Sequence, residues 1–311
     1  MQNLIFSSYA YRTVKVVLIL LGSYFWAGCH QGIGDYKPQI LKEARSWKLK
    51  IDSDIQAAVD DIKKIASSLE TIRHNSSPSR EAANILIKET LENHHEYLGI
   101  WSIWKRNAFD NSDIKYQNTL GHDNTGRYIP YWNRINGEIQ VAPLNQNFPS
   151  DVSLSKSVIE SGNEMVSMPI EFRAGEYKVV YAVPIRSDGK IVGAVGLDLT
   201  FLNFFTRIIR QVRVLDVAYG FLVNNDGVMV AHPTQWLNVG RTLDFFSFDP
   251  AVIQSVKDGH EASQIKISKT TGYENYYQFV PIKIGNTEKR WSLAISFMPI
   301  RLKKGWTKDK W

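Results

Sequence analysis

One short segment concentrates side chains that could bind a small molecule. Tyr128, Tyr131 and Trp132 lie within five positions of one another, and Arg127 and Arg134 flank them. Aromatic faces attract cations, an effect of about 0.5–2 kcal/mol. The segment therefore predicts a binding surface for a small organic cation, while packing of the aromatic rings in a core remains the alternative.

Further along the chain, one carboxylate closes an apolar strand. Asp198 follows residues 192–197, all of which are apolar or glycine. Because a carboxylate in an apolar layer is costly unless a partner meets it, Asp198 predicts such a partner, and a ligand ammonium is one candidate. The other interpretation is that Asp198 caps the helix that follows it, where an acidic side chain is also favourable. The residues alone leave both open.

The sequence offers little for catalysis. It contains no HExxH pattern, no P-loop, no Gly-x-Ser-x-Gly elbow and no cysteine nucleophile. The adjacent His94 and His95 would point to different faces of a helix, and residues 110–113 lack the glycine and the distal glutamate of a calcium loop. We therefore expect no enzyme activity, no metal ion, no cofactor and no nucleic-acid partner.

The first 29 residues resemble a bacterial lipoprotein signal. Arg12 and Lys15 precede an apolar run at 16–26, which closes on Ala27, Gly28 and the only cysteine, Cys29. The run is about half of the ~20 residues that a membrane-spanning helix needs. Lipidation at Cys29 is the first expectation; an uncleaved anchor helix and an ordinary cleaved signal are the alternatives. All three place the chain from Gln31 onward outside the cytoplasm, at an inner or outer membrane.

A long amphipathic helix is predicted next, over residues 37–73. Apolar side chains recur there at spacings of three and four, close to a heptad seam: Ile40, Ala44, Trp47, Ile51, Ile55, Ala58, Ile62, Ile65, Leu69 and Ile72. Such a seam either lies along the protein's own sheet or forms a parallel homodimer. A second helix is predicted over 80–94, with Ser79 as its N-cap.

Beyond Tyr97 the pattern changes to strands. Candidate strands are 99–104, 128–129, 139–141, 178–183, 191–198, 219–223, 228–231, 262–267, 276–281 and 291–297. Asn136-Gly137, Asp188-Gly189 and Asp226-Gly227 are dipeptides typical of tight hairpins. Residues 199–215 are predicted to form a connecting helix. The pattern predicts an α+β protein with two similar antiparallel lobes in series.

Seven short motifs, in order, resemble those of the double Cache domains, the extracytoplasmic ligand sensors of bacterial chemoreceptors, histidine kinases and cyclic-dinucleotide enzymes. They are the segments 98–101, 107–110, 122–134, 181–185, 193–198, 230–233 and 285–292. The resemblance runs from Lys37 to Pro299. It implies a long N-terminal helix packed along two PAS-like antiparallel-sheet lobes.

The resemblance also implies roles and boundaries. Between the leader at 1–29 and the basic tail at 300–311, it implies two helices at 37–96, a membrane-distal ligand-binding lobe at 97–198 and a membrane-proximal lobe at 199–299. In related sensors the residue at Asp198 contacts the ligand amine and the aromatic at Trp132 lines the pocket. The other candidate pocket residues are Tyr131, Arg127, Tyr116, Glu171 and Tyr177. The arginine-to-aromatic spacing differs from that of the amino-acid-binding subfamily.

The function implied is an extracytoplasmic sensor of an amine or amino acid. In receptors of this family a second membrane helix follows the position of Pro299, whereas residues 300–311 are rich in lysine. We therefore expect a lipid-anchored sensor that signals through a separate membrane protein. A truncated chemoreceptor or sensor-kinase ectodomain and a scaffold that binds no ligand are the alternatives.

Overall fold

The structure is a computed structural model, and it describes residues 33–145, 147–215, 217–269 and 272–299. Among the described residues, those from Ile40 onward form one compact unit. The leader with Cys29 and the basic tail at 300–311 lie outside the described residues. No helix in the described ranges has the length and apolar content to span a membrane.

Helix α1 (Ile33–His74) runs 42 residues and begins four residues before the predicted start. The predicted apolar seam is buried from Ile40 to Leu69 except at Trp47, which is half-buried. Its middle turns pack on the protein's own strands: Ile55 and Ala58 lie against Leu197 and Trp291. The seam therefore covers the protein's own core over these turns, which is the first of its two predicted uses.

Helix α2 (Arg80–Asn93) follows and begins as predicted. The Ser79 side chain accepts a hydrogen bond from the Ala82 backbone N–H at 3.1 Å, which satisfies one free donor of the first turn. Its buried residues Ala83, Ile87 and Leu91 recur every four positions. This spacing holds one face of α2 against the first sheet.

The first sheet contains seven antiparallel strands among the described residues. They are β1 (Tyr97–Trp104), β2 (Pro130–Asn133), β3 (Gln140–Pro143), β4 (Met165–Val166), β5 (Ile170–Arg173), β6 (Glu176–Ser187) and β7 (Lys190–Thr200). The order across the sheet is β3-β2-β1-β7-β6-β4, and β5 also pairs with β6. The Asp188-Gly189 turn joins β6 to β7 as predicted, with φ of +48° and +73°.

Helix α3 (Pro149–Ser161) covers one face of this sheet. The sequence analysis did not predict it. Its Val158 packs in a buried cluster with Trp101, Tyr131, Val180 and Ala194. Side chains alternate between faces along each strand, so this cluster defines the α3 face of the sheet, and the intervening residues face α1 and α2.

The second sheet contains six antiparallel strands among the described residues. They are β8 (Arg213–Val214), β9 (Ala218–Val223), β10 (Met229–Ala231), β11 (Ala262–Ile267), β12 (Glu274–Lys283) and β13 (Arg290–Phe297). Their order is β10-β9-β13-β12-β11, with β8 paired to β9. Helix α5 (Pro250–Lys257) packs on this sheet.

The connector between the sheets is shorter than predicted. A single π-helical turn (Phe201–Phe205) and helix α4 (Thr206–Ile209) replace the helix expected over 199–215. The predicted length is wrong because the chain turns back into strand β8 at Arg213. With its long α1 and two curled antiparallel sheets, the protein nevertheless has the predicted α+β architecture.

Candidate functional site

Four buried polar side chains meet on the α3 face of the first sheet. The Lys178 ammonium donates to Asp198 Oδ2 at 2.6 Å and to Asp151 Oδ1 at 2.7 Å. The Tyr131 hydroxyl also donates to Asp198 Oδ2, at 2.5 Å. Asp198 is completely buried and the other three are at most 3% exposed. We call these four residues the charged cluster.

Four separate elements position the cluster. Asp198 lies on β7, Lys178 on the neighbouring β6, Tyr131 on β2 and Asp151 in the first turn of α3. That first turn favours a carboxylate, because its backbone N–H groups carry partial positive charge. The cluster thus joins three strands to the helix that covers them.

Two glycines give the aromatic rings of this face their room. Tyr131 reaches Asp198 across β1, where a Cβ on Gly99 would lie 2.6 Å from the Tyr131 ring. A Cβ on Gly196 would lie 2.1 Å from the Trp101 ring. Contacts this short are prohibitive, so both positions require glycine for the rings to lie flat on the sheet.

The cluster has two carboxylates for one ammonium. Burial raises the pKa of the Asp198 carboxyl, and Asp151 adds to that rise, whereas Lys178 opposes it. Burial alone would lower the pKa of Lys178, but its two carboxylate partners outweigh burial and raise it. Burial also raises the pKa of Tyr131 well above its ordinary value, with Asp198 contributing in the same direction. The ammonium and the phenol therefore both keep their protons at neutral pH.

Two polar atoms of this face have no hydrogen-bond partner among the described residues. They are Asp198 Oδ1, an acceptor, and the Trp101 indole Nε1, a donor, and both residues are completely buried. Trp101 lies opposite Gly196 in the strand register. Gly196 is two residues before Asp198, so Trp101 and Asp198 share one face of the sheet. Buried polar groups are nearly always paired, so these two atoms are hydrogen-bonding capacity that the described residues leave unused.

The predicted residue Trp132 lies on the opposite face of the sheet from Asp198. Adjacent strand residues point to opposite faces, so Tyr131 faces α3 and Trp132 faces α2. The Trp132 indole donates to Asn84 of α2 at 2.9 Å. It borders a surface groove of about 670 Å³ that Tyr116 and His122 also line. The structure therefore brings Tyr131 and Asp198 together but leaves Trp132 and Tyr116 elsewhere.

The other three predicted residues lie away from the charged cluster. The Arg127 guanidinium donates to the backbone oxygen of Trp104. Glu171, in the edge strand β5, accepts from the Gly175 backbone N–H at 2.7 Å. Tyr177 lines a groove of about 930 Å³.

Sequence reasoning missed Lys178 and Asp151. Lys178 supplies the cation beside Asp198 that was expected from a ligand. The available signal for Lys178 was its position, because it begins the apolar run of β6 just as Asp198 ends that of β7. Asp151 gave no comparable signal, because only the folding of α3 onto the sheet brings it to the cluster. The alternative role of Asp198 as a helix cap is wrong, because Thr200 accepts from the Asn203 N–H at 3.1 Å instead.

The second sheet carries a buried histidine with a structural role. His232 is 3% exposed, and its Nδ1 accepts from the backbone N–H groups of Thr234 and Gln235 at 3.2 and 2.9 Å. A nitrogen that accepts two hydrogen bonds cannot carry a proton. Burial lowers the pKa of His232 from its ordinary 6.5 to about 4.

Acidification is therefore expected to destabilise the protein through His232. The unfolded chain binds this proton near pH 6.5 and the folded chain only near pH 4, so stability is lost as the pH falls through this interval, by about 3 kcal/mol at pH 4. Urea unfolding of wild type and His232→Asn between pH 7 and pH 4 measures it. The asparagine oxygen can replace Nδ1 as acceptor without titrating. His260→Asn, at an exposed site, is the control and should lose stability with falling pH as steeply as wild type. If His232→Asn loses stability just as steeply, the assignment is contradicted.

Comparison with known proteins places this geometry in context. Among solved structures, the extracellular domain of the histidine kinase mmHK1S-Z3 superposes with a TM-score of 0.74 at 24% identity, covering 87% of this chain and 96% of that one. The fold is that of a double Cache sensor domain. The ligand-binding domain of the Pseudomonas aeruginosa amino acid chemoreceptor PctB in complex with L-Arg has a similar fold, with a TM-score of 0.59 at 18% identity, covering 86% of this chain and 97% of that one.

One curated protein is also similar to part of this chain. The methyl-accepting chemotaxis protein TlpQ of Pseudomonas aeruginosa is 27% identical over 140 residues, which is 40% of this chain and 20% of TlpQ. The match thus spans about a fifth of that relative's length. No family model matches the chain. Within the described residues, no group of three or more His, Cys, Asp or Glu side chains is placed to hold a metal ion.

Proposed function

We propose that this protein is an extracytoplasmic sensor of a small amine or amino acid, bound at the charged cluster between the first sheet and α3. The observation that carries the proposal is the composition of the cluster: two buried carboxylates face one ammonium, and Asp198 Oδ1 has no partner among the described residues. An incoming ammonium would supply both the missing charge and the missing donor.

The comparisons support a small-molecule ligand. PctB, which shares the fold, is an amino acid chemoreceptor whose ligand-binding domain was solved with L-Arg. TlpQ is a chemotaxis receptor. A sensory role for the present chain agrees with both, and the amine preference comes from the acidic cluster of this chain itself.

The proposal includes how the sensor is attached and how it signals. Lipidation of Cys29 would hold it at the membrane, and a separate membrane protein would receive the signal, with α1 as a possible homodimer contact. The buried seam of α1 already packs on the two sheets, so a homodimer would use its other faces. Mass spectrometry of wild type and Cys29→Ser tests the anchor, and the variant is expected to lack the mass of the acyl chains.

Thermal unfolding of the full chain with a panel of amines and amino acids tests the function. A ligand at about 100 times its dissociation constant stabilises a protein by about 2.7 kcal/mol, which corresponds to a rise in Tm of about 5 °C or more. Asp198→Asn is expected to abolish the rise. Asp188→Asn, on an exposed turn of the same sheet, is the matched control and should keep it. No stabilisation of wild type by any compound, or an equal rise in Asp198→Asn, would remove the proposal.

A scaffold that binds no ligand is the second candidate. The observation in its favour is that Lys178 already pairs with Asp198 inside a completely buried site. In a scaffold, the cluster would only fasten α3 to the sheet. The same thermal screen separates the two functions, because a scaffold gains no stability from any amine.

A further inference from the structure

The Lys178 ammonium has the surroundings expected for a bound amine. It donates to Asp198 at 2.6 Å and lies 5.4 Å from the centre of the Tyr131 ring. A carboxylate and an aromatic face are the two groups that recognise organic cations. The side chain of this lysine therefore places a primary ammonium where a ligand would place its own.

We propose that Lys178 is a tethered competitor: its ammonium occupies the ligand's ammonium position, and a primary amine binds by displacing it onto Asp151. This inference rests on the proposed function and adds how the site is regulated. The ligand class it names is a compound with a primary ammonium, which forms the same contacts with Asp198 that Lys178 forms in the structure.

The second carboxylate makes the displacement feasible. Lys178 already donates to Asp151 at 2.7 Å, so it keeps a charged partner after it gives up Asp198. An unpaired buried ammonium would be strongly unfavourable, whereas an ammonium that exchanges two partners for one loses much less. Two carboxylates and two ammonium groups, one from Lys178 and one from the ligand, also leave the site electrically balanced.

The displacement would act on helix α3. In the structure Lys178, which lies on β6, links two further elements, because Asp198 belongs to β7 and Asp151 to the first turn of α3. When the ligand takes over Asp198, the lysine pairs with the helix alone. The ion-pair link between α3 and β7 is then lost, so binding would change how α3 is held on the sheet.

Competition also sets the affinity. If Lys178 fills the site most of the time, the apparent affinity for an external amine is the intrinsic affinity multiplied by the fraction of time that the site is free. Removing the lysine is therefore expected to tighten amine binding tenfold or more. This outcome is the opposite of that for a residue that contacts the ligand.

Chemical rescue of Lys178→Ala tests the inference in the full chain. The substitution removes a propylammonium group, so n-propylammonium chloride is the matched probe, with n-propanol and ammonium chloride as controls. We expect n-propylammonium alone to raise the Tm of Lys178→Ala by about 5 °C at saturating concentration, and wild type by less. If Lys178→Ala does not fold, the double variant Lys178→Ala/Asp151→Asn is used in its place, because it leaves only one buried carboxylate without a cation.

Three outcomes decide the matter. Rescue that disappears when Asp198→Asn is added, together with tighter binding of any amine found to stabilise wild type, supports the competitor. No rescue in either lysine variant, or weaker binding of that amine to Lys178→Ala, overturns the competitor while leaving wild-type binding and the proposed function intact. Rescue in Lys178→Ala without any amine response in wild type instead overturns the proposed function, and with it the displacement, because Lys178 would then be a permanent occupant.

Discussion

Replacing Lys178 with methionine is expected to destabilise the folded protein by about 3–5 kcal/mol at neutral pH. Methionine nearly matches the length of the lysine stem but carries no charge, so Asp151 and Asp198 lose their common cation. Their side chains are 3% and 0% exposed, so water cannot replace the ammonium. The free energy of unfolding in urea measures the loss.

Lys156→Met provides the matched control for this substitution. Lys156 lies on α3, is 75% exposed and faces Glu160 at 3.8 Å, so its loss is expected to cost at most about 0.5 kcal/mol. The difference between wild type and Lys178→Met should narrow towards pH 5, because unpaired buried carboxylates take up protons as the pH falls. Neutralising both acids with Asp151→Asn and Asp198→Asn should recover most of the loss. A cost below about 1 kcal/mol, unchanged with pH, would show that the cluster is solvated.

Replacing Arg80 with methionine is expected to cost a similar 3–5 kcal/mol. The guanidinium is 3% exposed, donates to both oxygens of Asp110 at 2.6 and 2.8 Å, and donates to Asp113 at 2.6 Å. It also donates to the Gly126 backbone oxygen at 2.8 Å and lies 4.1 Å from the centre of the Tyr116 ring. Methionine leaves two buried carboxylates and a carbonyl without these donors. Urea unfolding again supplies the measurement.

An exposed pair of the same geometry shows what burial contributes. Arg45 also makes a two-point contact, with Glu261 at 2.8 and 2.9 Å, but its side chain is 57% exposed. Arg45→Met is expected to cost far less than Arg80→Met, because water and salt screen an exposed ion pair. Arg80→Lys should recover only part of the loss, because a lysine cannot present a planar fork to two carboxylates. Equal costs for Arg80→Met and Arg45→Met would refute the idea that burial gives this contact its effect.

The elements that could be predicted were those with a strong local signal. Ser79, the heptad seam from Ile40 and the Asp188-Gly189 turn each fix local structure through a cap, a period or a positive φ. Helix α3 has no such signal. It contains five serines in thirteen residues, and serine competes with the helix through its own backbone hydrogen bonds. Packing on the sheet stabilises α3 instead.

The candidate site shows the same division. Asp198 was conspicuous because an acid at the end of an apolar strand demands a partner, and that expectation needs no structure. Which partner it has could not be read from the chain. Lys178 lies twenty positions away and Asp151 still further, and only the pairing of β6 with β7 and the docking of α3 bring them within 3 Å.

The sequence by itself predicted an α+β protein with a long helix and two antiparallel lobes, because periodicity, caps and turn dipeptides act over a few residues and are written in local order; the motif resemblance implied the double Cache arrangement of these parts. The sequence also predicted that the carboxylate of Asp198 needs a partner. Only the tertiary structure decided that the chain supplies this partner from Lys178, and that Trp132 faces away from it. Those outcomes depend on strand register, where a shift of one residue exchanges the two faces of a sheet.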